Sequence, residues 1–185
     1  QNPFNATRYH SLIVKKERLR KVKKSKYYSD RDLSYAKQAI LFMEKSNWKD
    51  AKKVANKARA KSIYNFIQWR HLLTTGNNAT FTEYKQFIEK FNKFPRLDRI
   101  KYLAEHKMST KYQTPDEIIS WFKVNPPTSG FGEMILGESL IKIGKKNEGI
   151  QLIKKGFIKA DLNRNDLKFF RSKFKKYLTK NDYIQ

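Results

Sequence analysis

Residues 79–108 read ATFTEYKQFIEKFNKFPRLDRIKYLAEHKM, and this stretch decides the fold. Thr80 and Glu83 stand at capping-box spacing, in which two side chains satisfy the free amides that open a helix. Phe81, Tyr84, Ile88 and Phe91 then recur at helical period and make one apolar face. Phe94-Pro95 predicts the stop, because the residue before a proline is pushed out of helical dihedrals. Leu97, Ile100 and Leu103 predict a short partner helix. The unit is therefore a helix, a tight connection and a second helix.

The same grammar runs outward in both directions. Upstream, Leu33, Ala36, Ile40 and Met43 predict one helix face, and Ala51, Val54, Ala55 and Ala58 a second after the Asn47-Trp48 turn. Small residues on that second face let two helices approach closely. Residues 63–73, IYNFIQWRHLL, are apolar almost all round, which places that helix in the middle of a stack. Downstream, Thr114-Pro115-Asp116-Glu117 is a second start signal with proline at the first helical position. Trp121 and Phe122 close that helix before Asn125-Pro126-Pro127. Phe131, Met134, Ile135, Leu140 and Ile143 predict another helix, ended by Gly144, with Ile150, Ile153, Phe157 and Ile158 on its partner. Leu167, Phe170, Phe174, Tyr177 and Leu178 predict the last.

Short, numerous helices with short connections predict an all-α superhelix, an α-solenoid of antiparallel helix pairs, over residues 31–185. The repeats are tetratricopeptide-like but irregular, as in Gly144-Lys145-Lys146-Asn147-Glu148-Gly149-Ile150. Residues 1–30 are expected to form a basic arm or strap, with Tyr9, Leu12, Ile13 and Val14 as its apolar part.

The 185 residues include no cysteine, which excludes disulfides, thiolate catalysis and cysteine-based zinc sites. His10, His71 and His106 are too far apart in sequence for a helix-borne zinc pair. No apolar run approaches the ~18 residues of a membrane span. The chain starts at Gln1, and the expectation is a mature protein whose signal peptide has been removed. Lys and Arg number 41 against 17 Asp and Glu, a net charge of +24. Lys predominates, and an ammonium is a point charge where guanidinium is a planar fork, so the excess suits diffuse attraction to an anionic polymer. The densest run supplies the candidate polymer contacts: Lys15, Lys16, Arg18, Arg20, Lys21, Lys23, Lys24 and Lys26. A solvated arm is the plainer structural reading of the same run.

Three ordered segments carry a family resemblance. They are NWKDAKKVANKA (47–58) followed by IYNFIQWRHLL (63–73), then residues 79–108, then residues 126–174, PPTSGFGEMILGESLIKIGKKNEGIQLIKKGFIKADLNRNDLKFFRSKF. Together they resemble the N-terminal superhelical domain of the soluble lytic transglycosylases over roughly residues 32–180. Phe94-Pro95 stands where that family often has Trp-Pro, and Phe157 where it often has Trp. The resemblance implies a periplasmic cell-wall protein and peptidoglycan glycan strands as partner. It further implies a parent enzyme that cleaves the N-acetylmuramic acid–N-acetylglucosamine bond with a single Glu on a lysozyme-like domain beyond residue 185. Other cell-wall proteins are further candidate partners; no cofactor and no specific nucleic acid is expected.

Gly137-Glu138-Ser139 offers the Glu-Ser pair of that catalytic motif, but the Gly-Leu-Met-Gln element that should follow is absent. Glu138 therefore reads as part of the superhelix, and the chain as carrying no catalytic residue. Trp69 reads as core, Trp48 as packing under two helices rather than stacking on a sugar, and His106 as a helix-end residue. The expected function is a non-catalytic segment that guides or scaffolds the glycan. The alternative is a stand-alone helical-repeat binding module for protein partners or nucleic acid.

Overall fold

A computed structural model describes residues 25–183. Among them are nine α-helices, a closing 3₁₀ turn and no strand, so the chain is all-α. Tyr9, Leu12, Ile13 and Val14, with the rest of the expected strap up to residue 24, lie outside the described residues. The chain divides into two compact units, Gln1–Gln68 and Trp69–Gln185.

In the first unit, α1 (Asp30–Glu44) is opened by Ser29, whose hydroxyl accepts from the Asp32 amide at 3.1 Å. Ser46, at φ 57°, turns the chain, and Asn47 caps α2 (Trp48–Ala55). Ala39, Ala51, Ala55 and Ala58 are buried between the helices, as the small-residue spacing predicts for the last three. Trp48 packs against this core, with Ile63 and Ile67 of α3 (Lys61–Leu73). Ile40 does not join it: it is 37% exposed, and Ala39 takes the inner position. The reason is Asp32. Its buried carboxylate accepts from the Arg59 amide at 2.9 Å and the Ala60 amide at 3.1 Å, which turns the Asp32–Ala39 side of α1 inward. Phe66, likewise, leaves α3 partly exposed rather than apolar all round.

In the second unit both capping boxes form. Thr80 opens α4 (Phe81–Lys90) with Glu83, and Thr114 opens α6 (Pro115–Val124) with Glu117. The α4 helix ends a turn before the expected Phe94-Pro95 stop. Phe91 leaves helical geometry at φ −127°, and Phe91 and Phe94 fold back onto Phe87 with ring centroids 4.8 and 5.2 Å away. Three rings gathered in this way stop the helix before proline can. Trp69 joins them, donating its indole N–H to the Pro95 carbonyl at 2.8 Å.

Helix α5 (Leu97–Glu105) follows, then α7 (Gly130–Lys142), α8 (Lys146–Lys159) and α9 (Arg164–Lys173). Gly144, at φ +90°, makes the turn between α7 and α8. Those two helices run antiparallel with almost no space between their backbones. A Cβ on Gly137 would lie 2.5 Å from the Gly149 carbonyl oxygen, and one on Gly156 2.5 Å from that of Gly130. Ile158, expected on the inner face of α8, is exposed, because Gly149, Ile153, Gly156 and Phe157 fill it. The last helix is shorter than expected: α9 ends at Lys173, and Phe174 and Leu178 are buried from the turns that follow.

Alternate helices touch through rings. Phe81 of α4 meets Trp121 of α6 edge-on at 5.3 Å, and Phe131 of α7 meets Phe170 of α9 at 5.5 Å. Within this unit, hairpin contacts and next-but-one contacts together give the layout of stacked helix pairs.

Candidate functional site

Of the basic run, Lys26 is described and exposed; Lys15, Lys16, Arg18, Arg20, Lys21, Lys23 and Lys24 lie outside the described residues. Positive charge is nevertheless dense in the second unit. Between Lys142 and Lys180 the sequence has thirteen Lys and Arg against three Asp and Glu.

A file of rings crosses that unit. Tyr102 lies tilted against His106 at 4.6 Å and His106 against Phe131 at 4.3 Å, while Phe131 meets Phe170 edge-on and Phe170 meets Phe169 edge-on at 5.2 Å. The file passes over α5, α7 and α9 in turn. Phe170 is buried, Tyr102, His106 and Phe131 are half-buried, and Phe169 is 58% exposed. Cations close both ends: the Arg99 guanidinium lies 4.9 Å from the Tyr102 ring, and the Lys173 ammonium 5.9 Å from Phe169. His106 is the C-cap of α5, as a helix-end residue should be, and its Nδ1 bonds the Tyr102 carbonyl oxygen at 2.8 Å. That bond fixes its ring plane.

Glu138 lies beside the Lys173 end. Its Oε2 is 2.8 Å from the Lys173 ammonium, while Oε1 accepts from the Thr110 hydroxyl at 3.1 Å and lies 3.9 Å from Lys142. It thus ties α7 to α9 and to the loop before α6. Tyr112, two residues from Thr110, is 74% exposed with the Lys111 ammonium 5.4 Å from its ring.

The other acids of this unit's interior also have structural partners. Glu105, 2% exposed, accepts from the amides of Thr128 and Ser129 at 2.7 and 2.8 Å and from both hydroxyls. Its charge sits at the N-terminus of α7, where the helix dipole favours an anion. Glu133 is buried against Lys155 and Lys159 at 3.2 and 3.4 Å. Carboxyl groups held this way join one helix to another.

Two grooves lie elsewhere on this unit. A groove of about 420 Å³ between α4 and α6 is lined by Glu89, Asp116, Glu117, Trp121 and Val124. A smaller one of about 280 Å³ lies under Tyr183, with Phe157, Leu162, Leu167 and Arg171 on its walls. Among the described residues no group of His, Asp and Glu is arranged to hold a metal, and no helix is long and apolar enough to cross a membrane.

The sequence analysis weighed His106 and Glu138, and in the structure a run of contacts through Phe131, Phe170, Phe169 and Lys173 links them. It did not single out Tyr102, Phe169 or Glu105. Phe169 had a local signal, since it is the ring beside the inward-facing Phe170. Glu105 had none, because its partners are 23 and 24 residues away. Comparisons with family models, with curated proteins and with solved structures found no match.

Proposed function

We propose that this chain is a non-catalytic helical segment of a soluble lytic transglycosylase, acting in the periplasm to guide or scaffold peptidoglycan glycan strands. The non-catalytic part of the reading is supported by Glu138, the residue with the Glu-Ser context, which is tied to Lys173 and Thr110 as a helix-joining carboxylate. The order of the three family-like segments and the stacked pairs of the second unit support it. The basic surface attracts the carboxylates of the peptide stems, and the catalytic Glu belongs to a separate lysozyme-like domain of the parent enzyme.

The purified chain should pellet with murein sacculi, release no anhydro-muropeptides, and detach as salt rises, because the Debye length falls from ~10 Å at 0.1 M to ~3 Å at 1 M. Release of anhydro ends that disappears in Glu138→Gln would overturn the assignment. The second reading, a stand-alone helical-repeat module for protein partners or nucleic acid, draws on the same stacked pairs and charge. Structure-selective RNA binding far tighter than the ~10⁻⁴–10⁻⁶ M of non-specific attraction would favour it.

A further inference from the structure

We propose that the exposed edge of the Tyr102–His106–Phe131–Phe169 file is a binding track for an anionic glycan, a chain of sugar rings that carries carboxylates. This deepens the cell-wall reading and rests on it. The file differs from a packing seam in where it ends. A seam would bury all its rings, whereas here Phe170 is buried, Tyr102, His106 and Phe131 are half-buried and Phe169 stands 58% exposed.

Direction and chemistry point to the same ligand. The rings come from three alternate helices, α5, α7 and α9, so the track crosses the helices rather than following one. A linear polymer of sugar rings suits such a row, because each pyranose chair offers an apolar C–H face that can pack on an exposed aromatic ring such as Phe169. The cations at its ends, Arg99 and Lys173, suit carboxylates spaced along the chain.

Although the unit as a whole is rich in Lys and Arg, the cations placed on the rings of the file are few, Arg99 and Lys173. Glu138 already faces Lys173 and Lys142, which halves what those two ammonium groups offer a ligand. A nucleic acid carries one charge per nucleotide and is held by rows of uncompensated Lys and Arg. Rings with a few cations select sugar faces first and charge second.

The test is a titration of the full chain at fixed salt with three probes: a disaccharide-tetrapeptide muropeptide, a neutral chitooligosaccharide and a single-stranded RNA. The expected order is muropeptide tighter than chitooligosaccharide, with RNA weakest. Phe169→Ala should weaken muropeptide binding about tenfold, the worth of one stacked ring, and Phe169→Tyr should restore it. Arg99→Gln should weaken the muropeptide and leave the chitooligosaccharide unchanged. Both positions are exposed, and circular dichroism checks that helix content is kept. Wild-type affinity in a Phe169→Ala, Arg99→Gln double variant would overturn the track while leaving the cell-wall reading standing. A wild-type chain that ignores muropeptides, or prefers RNA, would overturn both.

Discussion

Gly137 and Gly149 face each other so closely across the α7–α8 hairpin that neither has room for a side chain. A Cβ on Gly137 meets the backbone oxygen of Gly149, and a Cβ on Gly149 meets Gly137 in return. The obstacle is backbone on both sides, so no rotamer change relieves it.

Gly137→Ala should therefore destabilise the protein by about 1–3 kcal/mol, the usual cost of overpacking, although alanine favours a helix by ~1 kcal/mol. Gly144→Ala is the informative comparison. That position has open space around it but φ +90°, so its cost of about 1 kcal/mol is backbone strain alone. Urea midpoints of the two variants separate steric from conformational demand; a Gly137→Ala protein as stable as the wild type would contradict the close approach.

Glu105→Ala should cost about 3 kcal/mol, because it strands the Ser129 hydroxyl and two amides away from any acceptor. Hydrogen exchange should show the first turn of α7 opening, while α4 keeps its protection. Unchanged exchange at Gly132, whose amide bonds the Ser129 hydroxyl, would contradict the latch.

The Tyr84 hydroxyl donates to the Leu72 carbonyl at 2.6 Å and accepts from Asn77 at 2.7 Å. Burial raises its pKa above the ordinary 10.0, the Asn77 bond opposing the shift. Stability from the neutral phenol is thus full below pH 10.0 and lost as pH rises through the folded value. Tyr84→Phe should cost about 1–2 kcal/mol at neutral pH and flatten that alkaline decline. Chemical denaturation of both proteins on either side of pH 10.0 checks it.

The Thr179 amide, at 2.6 Å, holds the Asp182 carboxyl below its ordinary 3.8, with the Thr179 hydroxyl and Lys154 adding to the effect against some burial. Its contribution is complete above pH 3.8 and lost as pH falls through the lower folded value. The closing turn should then loosen in acid, freeing Tyr183 from Arg171 and Phe157. Asp182→Asn should remove that acid transition from the Tyr183 NMR signals; a transition that persists would assign it elsewhere.

What the sequence discloses is what neighbours in the chain decide. The Thr80–Glu83 and Thr114–Glu117 boxes need only three residues of context, and both form. Ile40 fails as a core residue because the orientation of α1 depends on Asp32 reaching amides 27 and 28 positions away. The α4 terminus fails because Phe91 obeys Phe87 and Phe94 before proline acts. The ring file has the same character: Tyr102, Phe131 and Phe169 share no period, and only the stacking of three helices aligns them. The glycines at 130, 137, 149 and 156 did carry a signal, a seven-residue interval repeated in both helices.

That hairpin has a mechanical consequence. Two helices separated by side chains can slide, because the layer between them shears as rotamers change. Here α7 and α8 meet backbone to backbone at two levels, so the pair behaves as one stiff beam about 13 residues long, matching the length of α7. Pulled through Phe131, the beam would transmit force along its length undiminished. It would give way at its fastenings, the Glu105 latch at one end and the Glu138–Lys173 bridge beyond its middle, before its two halves moved against each other.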